Sequence, residues 1–419
     1  MSGGVDSSAT AALLLEQGYE VIGITLKLWP QDCVNRAEDK CCGPQAVTDA
    51  RAVCHQLDIP YYLIDESADF QRHVIQYFAD EYKAGRTPNP CVMCNQNLKF
   101  GRLIDRADQL GAEFIATGHF ARVECAGSAS DSGGRRGEIS LGDPRIEPLN
   151  CSSRREEALT LPHEFQMEPP SVGCCEVHGE PAATKESGLN QSLLTSAAAG
   201  RYLLKRGRDL KKDQSYFLFS LRQDQLARVM FPLGGKSKSD TRAVARHCQL
   251  KTADKEESME ICCVPDNNYG GFLQSTNLVQ KHRGEITDLY GRVLGHHEGI
   301  EFYTIGQRRG LGLTTPKPVY VVELDVENNR VVVGDEAALD RDTFTAERCN
   351  WHPFDHLAGP IEVTAKIRYN HPGTAATVTP AGSGTVKVKL HTPQRAITPG
   401  QAAVFYQDDL VVGGGWITR

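Results

Sequence analysis

Met1-Ser-Gly-Gly-Val-Asp-Ser-Ser8 opens the chain, and the reading of everything after it depends on these eight residues. Two adjacent glycines let a backbone turn tightly and bring its N–H groups close to an anion. Ser2, Ser7 and Ser8 add hydroxyl donors, and Asp6 supplies a carboxylate suited to a divalent cation. Ala9 to Gln17 are mostly strong helix formers, so the loop opens a helix. The free N–H groups and positive dipole end of a helix start favour phosphate. The Gly-Lys-Ser/Thr ending of a Walker A loop is absent, which excludes that class of nucleotide site.

Outward from the loop, strands and helices alternate. Val21–Leu26 and Ile59–Ile64 read as strands, as does Phe114–Thr117, which runs into Gly118-His119. Helices are expected over Pro44–Leu57, Ala68–Ala84 and Asn95–Leu110. Such alternation implies a parallel sheet covered on both faces, with ligands at the carboxyl ends of its strands. That places the loop, Leu26 and Gly118-His119 around one crevice. A phosphate loop of this kind normally follows a buried strand, and here Met1 directly precedes Ser2. The reading therefore expects an upstream in-frame segment encoding a short apolar strand.

At 419 residues, two or three domains are expected. No run of eighteen apolar residues exists, so no membrane-spanning helix is expected. Fourteen cysteines scattered through so long a chain, with no leader read ahead of the loop, favour reduced thiols and a cytoplasmic protein. A net charge of −7 argues mildly against a nucleic-acid partner, although a local basic face is enough for one. From Glu124 to Gly200, Phe165 is the only aromatic residue and no period persists. This stretch reads as a mostly disordered insertion, with Cys174-Cys175 a weak metal candidate. Arg201, Lys205, Arg206, Arg208, Lys211 and Lys212 then face only Asp209 and Asp213, a strip suited to phosphates. Gln223–Gln249 reads as helical with a break at Phe231–Gly235. Beyond Gly284, short β-branched runs at Val319–Leu324, Arg330–Val333, Glu362–Arg368, Ala376–Thr379, Thr385–Leu390 and Ala402–Tyr406 suggest a small barrel or sandwich. Arg308-Arg309 adds a second basic point.

Two further segments carry reactive chemistry. In Pro88-Asn-Pro-Cys-Val-Met-Cys-Asn95 the reading places Cys94 directly before a helix, where the N-terminus lowers a thiol's pKa. Cys91-x-x-Cys94 is also the spacing of a redox or metal half-site, and Cys41-Cys42 would complete a four-cysteine zinc set. Cys262, followed by Cys263, is equally readable as a reactive thiol or a small buried hydrophobe.

The string Ser2–Ser8 resembles the PP-loop of ATP pyrophosphatases, which adenylate a substrate and release pyrophosphate. Together with Thr87–Leu103, Ala116–Val123, Leu203–Leu218, Glu257–Cys262 and Phe302–Gly312, it is similar in order and content to the tRNA-uridine 2-sulfurtransferases. The likeness runs from Met1 to about Val123 and from Arg201 almost to the C-terminus. It implies an α/β fold: a parallel-sheet PP-loop domain (1–225), a small central domain (226–340) whose Cys262 segment packs back on the first, and a C-terminal β-barrel (341–419) that binds tRNA. The implied reaction is ATP-dependent 2-thiolation of the wobble uridine. ATP and Mg2+ would be used, with Met1, Ser2, Gly3, Gly4, Val5, Asp6, Ser7, Leu26 and Gly118 holding the nucleotide.

Within the resemblance, Cys262 would carry a persulfide and Cys94 would be the partner nucleophile, the two forming a disulfide in turnover. Asn89, Pro90, Cys91, His119, Lys212, Asp213, Gln214, Arg368, Tyr369 and Gln401 would touch tRNA. A persulfide-donating relay protein or a cysteine desulfurase would supply sulfur to a monomeric enzyme. Position 91 is Cys where many members carry Asp, so Cys91, Cys94 and Cys262 are also candidate ligands of an iron–sulfur cluster. A PP-loop amide or amidine synthetase acting on a small metabolite is the rival reading, and a non-catalytic RNA-binding protein is a third.

Overall fold

The computed structural model describes residues 1–29, 43–126, 200–256, 268–275, 278–279 and 281–418. The opening loop leads into helix α1 (Val5–Glu16), which is buried on most sides from Val5 to Leu14. Its alanines leave room for close neighbours. Val5 and Ala12 pack with Val53 of helix α2 (Pro44–Gln56). Strand β1 (Gly23–Lys27) pairs in parallel with β2 (Tyr61–Asp65), Gly23 opposite Tyr61. Two further helical stretches, 67–83 and 90–109, follow, the second opening with the short helix α3 (Pro90–Cys94).

Strand β3 (Ile115–Ala116) leads to an antiparallel hairpin of β4 (Ala121–Cys125) and β5 (Tyr202–Arg206). β6 (Val229–Met230) returns beside β3 in parallel. The parallel sheet is thus present as two separate parallel pairs, and no strand among the described residues joins them. Met1 lies along β1: its amine donates to the Ile24 carbonyl, and its own carbonyl accepts from Thr25 Oγ1 at 2.8 Å. The stretch expected to be helical over Gln223–Gln249 divides into a single turn (Gln223–Leu226), β6, and helix α4 (Lys238–His247). A reciprocal cap starts α4: Ser237 Oγ accepts from the Asp240 N–H, and Asp240 accepts from the Ser237 N–H.

A four-stranded sheet follows, built from β7 (Gly284–Asp288), β8 (Val293–His297), β9 (Tyr320–Asp325) and β10 (Arg330–Gly334) in the order β8-β7-β10-β9. Ile286, Val321, Leu324, Val331 and Val333 form its core with Ile300, Tyr303 and Leu311. The chain then builds a closed barrel from β11 (Asp340–Trp351), β12 (Ile361–Lys366), β13 (Thr374–Gly382), β14 (Thr385–Arg395), β15 (Ala402–Gln407) and β16 (Leu410–Thr418). The order β11-β14-β13-β12-β15-β16 closes by pairing β11 with β16. Val386, Val388 and Leu390 alternate inward along β14, as a half-buried strand requires. The β run expected beyond Gly284 is therefore two bodies, a sheet and a barrel.

The barrel does not stand apart from the first domain. Leu410 of β16 pairs with Lys205 of β5, and the Arg206 N–H donates to the Asp409 carbonyl at 2.7 Å. One apolar core runs through both bodies, with Val92, Phe100, Tyr216 and Phe219 packed among Ala402, Val404, Tyr406 and Trp416. β16 carries Gly413-Gly414-Gly415, residues of low strand propensity. A Cβ on Gly414 would lie 2.6 Å from the Phe219 ring, so the glycine is what lets the strand touch that ring.

The insertion begins later and ends earlier than its composition suggests. β4 continues through Cys125, the Ala126 N–H donates to Arg201 O, and the Gly200 N–H donates to Ala126 O, both at 2.8 Å. Residues 127–199, with Cys174-Cys175, lie outside the described residues. Because the flanking residues already meet across a hairpin, a short Gly/Ser linker can replace 127–199. Such a protein should unfold within about 1 kcal/mol of the parent in urea, since loop length alters closure entropy only slowly. A linker variant that no longer unfolds cooperatively would show that the segment contributes to a core.

Candidate active site

The opening loop has the shape of an anion cradle. Gly3 has φ +65°, and a Cβ there would come within 2.3 Å of the Ala46 carbonyl, so glycine is required twice over. Gly4 is the extended residue before α1 and offers no side-chain cap to the helix N–H groups. Ser7 and Ser8 bond the Gly4 carbonyl at 3.1 and 2.9 Å, and Ser7 Oγ accepts from the Ser2 N–H at 3.1 Å. Gly118 closes over the loop from the end of β3: a Cβ there would meet Asp6 at 2.8 Å. Leu26, beside the Thr25 that binds Met1, packs against the apolar cluster containing Cys94. The residues expected to hold a nucleotide thus share one end of the domain.

Two lysines that were not anticipated reach this end. Lys238 Nζ lies 2.7 Å from Asp6 Oδ1. Lys255 Nζ donates to the Gly3 carbonyl at 3.0 Å and to Asp49 at 2.5 Å. The string Gly234-Gly235-Lys236-Ser237-Lys238 held the signal for the first, a lysine on the first turn of a capped helix, but it reads locally only as a helix break.

The thiol helix corrects one expectation. The helix starts at Pro90, not near Asn95, because proline tolerates the first helical position and Asn89 Oδ1 caps it by accepting from the Val92 N–H at 3.4 Å. Cys91 therefore occupies the first turn and is half-buried, while Cys94 is the fifth helical residue and 4% exposed. Dipole stabilisation fades beyond the first turn, so it acts on Cys91 rather than on Cys94. Cys262, Cys263 and Cys41-Cys42 lie outside the described residues.

The barrel holds this helix from behind. Gln401 Nε2 donates to the Thr87 and Pro88 carbonyls at 3.1 and 3.0 Å, and the Thr87 N–H donates to Pro399 O at 2.8 Å. Asp213 is buried, and its Oδ1 accepts the Gly207 and Ser215 N–H groups, so its carboxylate shapes the turn that presents Lys212 and Gln214. Gln214 Oε1 accepts the Phe120 N–H at 3.1 Å, beside His119. Tyr369 lies on Phe217 with ring centroids 4.4 Å apart, and Arg368 Nη1 bonds the Arg395 carbonyl. The His119 ring sits between Phe100 and Phe231, and its Nδ1 lies 2.8 Å from Thr117 Oγ1. Gln401 against Thr87 and Pro88, and Tyr369 against Phe217, thus mark where the barrel meets the first domain.

The basic strip is not uniform. Arg201 pairs with Asp355 at 2.7 Å and Lys205 with Glu124 at 2.6 Å, while Arg206 stacks on Tyr406, 3.9 Å from its centroid. Arg208 and Lys211 stay exposed beside a cleft also lined by Ser237 and Asp240. Among the described residues no group of three or more His, Cys, Asp or Glu is placed to hold a metal ion. No helix among them is long and apolar enough to cross a membrane.

Known proteins resemble the chain from end to end. A sequence profile described as "tRNA methyl transferase HUP domain" matches residues 1–138 and 190–266. A "tRNA methyl transferase PRC-barrel domain" profile matches 271–335, and an "Aminomethyltransferase beta-barrel domain" profile matches 341–417. Proteins called tRNA-specific 2-thiouridylase MnmA from Heliobacterium modesticaldum and Moorella thermoacetica are 41% and 43% identical to it. Those alignments cover 100% of this chain and 91% and 98% of the relatives. The Clostridium acetobutylicum protein of the same name is 39% identical over 418 residues, covering 100% of this chain and 98% of its own. Profile titles and relatives' names differ over the group transferred; the relatives match over the whole chain, so their name carries more weight.

Burial holds two histidines, His119 and His352, neutral. Burial first, and the Lys99 charge second, push the His119 pKa below the ordinary imidazole value, although its edge keeps some solvent contact. Burial lowers His352 to about 4, its Nδ1 lying 3.0 Å from the Val411 carbonyl. As pH falls below about 6.5 the unfolded chain binds a proton that folded His352 refuses until about pH 4. Stability is therefore full above about pH 6.5 and falls toward pH 4, by up to about 1.4 kcal/mol per pH unit from this residue. Urea midpoints measured from pH 7.5 to 4.5 should show a flatter decline in His352→Asn. An unchanged slope would remove His352 as a source of acid lability.

Proposed function

Because this chain belongs to the tRNA-specific 2-thiouridylase family, we propose that it thiolates position 2 of the wobble uridine of tRNA, consuming ATP. The observations that support this reading are an anion cradle at the start of α1 and a barrel that bonds the turn before a two-cysteine helix. The full-length likeness to 2-thiouridylases favours it over an amide or amidine synthetase.

The chemistry divides between two parts of that region. ATP lies with its phosphates on the α1 start, near Ser2–Ser7 and Gly118. Mg2+ is commonly held by one or two carboxylates plus substrate phosphates, and the partly exposed Asp6 fits that role. Uridine O2 attacks the α-phosphorus, pyrophosphate departs, and the poor leaving group at C2 becomes AMP. The uridine must leave its stack to arrive there, and the half-buried Tyr369–Phe217 pair, His119 and Phe231 offer ring surfaces for a displaced base.

Sulfur follows from a persulfide on Cys262. Its terminal sulfur displaces AMP at C2; Cys94 thiolate then attacks Cys262 Sγ, freeing the thiocarbonyl and leaving a Cys94–Cys262 disulfide for an external thiol to reduce. Cys94 would be the attacking thiol despite its burial, and opening of its surroundings accompanies each turnover. An iron–sulfur cluster on Cys91, Cys94 and Cys262 would have two of its ligands three apart on α3. The enzyme acts as a cytoplasmic monomer supplied by a persulfide donor.

Two experiments test the proposal. In cells lacking the gene, Cys94→Ser and Cys262→Ser should restore no 2-thiouridine by nucleoside mass analysis, whereas Cys91→Asp should restore it to within a few fold. Labelled persulfide should still load on Cys262 in Cys94→Ser. Thiolation surviving in Cys262→Ser would defeat the persulfide assignment. For tRNA binding, Arg208→Ala with Lys211→Ala should flatten the slope of log K against log salt by roughly 0.7 to 0.9 for each phosphate no longer neutralised. Lys205→Ala, already paired with Glu124, should change it little. Equal slopes in all three proteins would return the strip to a solvated face.

A further inference from the structure

The thiol helix is held at both of its ends by one short turn of another segment. α3 has five residues and runs directly into π-helical turns over Asn95–Arg102, a rare geometry. So short a helix is marginal by itself, and tertiary bonds decide where its side chains point. The 3-10 turn Ser215–Phe217 supplies those bonds. At the start of α3, the fully buried Tyr216 donates its hydroxyl to the Ala402 carbonyl of β15 at 2.9 Å. The Tyr216 oxygen also accepts from the amide of Asn89, the residue whose Oδ1 caps the helix. At the far end, Asn95 Nδ2 donates to the Phe217 carbonyl at 3.1 Å. Asn95 is 2% exposed, and its Oδ1 is buried with no hydrogen-bond partner among the described residues. An acceptor left unpaired there costs stability that a leucine would not. The amide is therefore kept for the one bond it gives to Phe217.

We propose that Tyr216 and Asn95 are positioning residues for the sulfur transfer, fixing α3 at its two ends and with it the direction of Cys91 and Cys94. The proposal deepens the thiolation reading given above and rests on it. Neither residue touches the reacting atoms. Gln401 fixes the chain before the helix, whereas Tyr216 and Asn95 fix the helix itself. The carbonyl that anchors Asn95 belongs to Phe217, whose ring lies on Tyr369 with centroids 4.4 Å apart. One turn thus carries both a ring surface for the displaced base and the anchor of the thiol helix, so it sets the distance between base and thiols. Such a distance matters to the rate, because a small misplacement of reacting groups lowers the chemical step far more than it lowers binding. The two bonds also hold Cys94 at 4% exposure while the site waits for its substrate.

Alkylation of the full-length protein by iodoacetamide, read peptide by peptide by mass, tests the assignment. Tyr216→Phe and Asn95→Leu nearly keep the packing and remove the bonds. Each should label Cys94 about tenfold faster than the parent, the scale of one hydrogen bond lost from a local opening. Cys349, on β11 of the barrel, should label at the parent's rate. In steady-state thiolation, kcat should fall by about tenfold or more while KM for tRNA stays within about twofold. Ser215→Ala removes a bond from the same turn to the Tyr406 hydroxyl, 3.3 Å away, without touching the helix, and should leave the Cys94 rate within about twofold. An unchanged Cys94 rate in Asn95→Leu would overturn the proposal, whether or not Tyr216→Phe folds. Equal acceleration in Ser215→Ala would overturn it too, as the mark of general loosening, and so would a raised KM with kcat unchanged. The labelling needs neither ATP nor tRNA. Faster labelling of Cys94 in a protein whose parent thiolates no tRNA would leave the positioning role in place and defeat the functional reading alone.

Discussion

The approach of β16 to Phe219 is the contact on which the rest of the arrangement depends. A closed barrel satisfies its own backbone hydrogen bonds and has no edge to offer a neighbour. It can join another domain only through side chains, through a strand that continues past its closure, or through a stretch with no side chains at all. This protein uses all three. Gly414 lets the Phe219 ring meet the strand's backbone, Leu410 pairs with Lys205, and Trp416 and Tyr406 enter a core begun by Val92 and Phe100. Asn350 Nδ2 adds donors to the Phe219 and Leu221 carbonyls at 2.7 and 2.9 Å. A core shared in this way ties the position of one body to that of the other.

Rigidity at that junction reaches the thiol helix by a short route. Residues 399–401 leave the barrel core and bond Thr87 and Pro88, two residues before the helix begins. Gly400 permits the approach, because a Cβ there would lie 2.8 Å from the Thr87 carbonyl. Asn89 then caps and Pro90 starts the helix, fixing the directions of Cys91 and Cys94. The barrel therefore does more than add surface for a nucleic acid: it sets where the first domain's cysteines point.

The nucleotide end follows a different logic, of close backbone approach and opposed charge. Gly3 against Ala46 and Gly118 against Asp6 shape a cradle that admits no Cβ. Lys238 and Lys255, more than two hundred residues away in sequence, supply charge to a loop whose own residues carry only a carboxylate. Only Lys238 carries a local signal, its place on the first turn of a capped helix, and that signal does not name its partner. What marks them is the partner they reach.

By itself the sequence determined the chemistry and its order along the chain. The Gly-Gly-Val-Asp-Ser-Ser loop, the Cys91–Cys94 spacing and the β-branched run at Thr385–Leu390 were legible because each depends on neighbours within a few residues. Pro90 after Asn89 also stated where the helix begins, but the apolar pattern beyond Asn95 outweighed it and misplaced Cys94 in the dipole argument. Only the tertiary structure decided that Gly413–Gly415 is a strand, that Arg201 and Lys205 are paired while Arg208 and Lys211 stay exposed, and that Gln401 holds the thiol turn. The physical reason is the same in each case. A glycine's role is set by the ring that approaches it, and a charge's role by the group that faces it. Both partners are brought by folding from positions that sequence distance conceals.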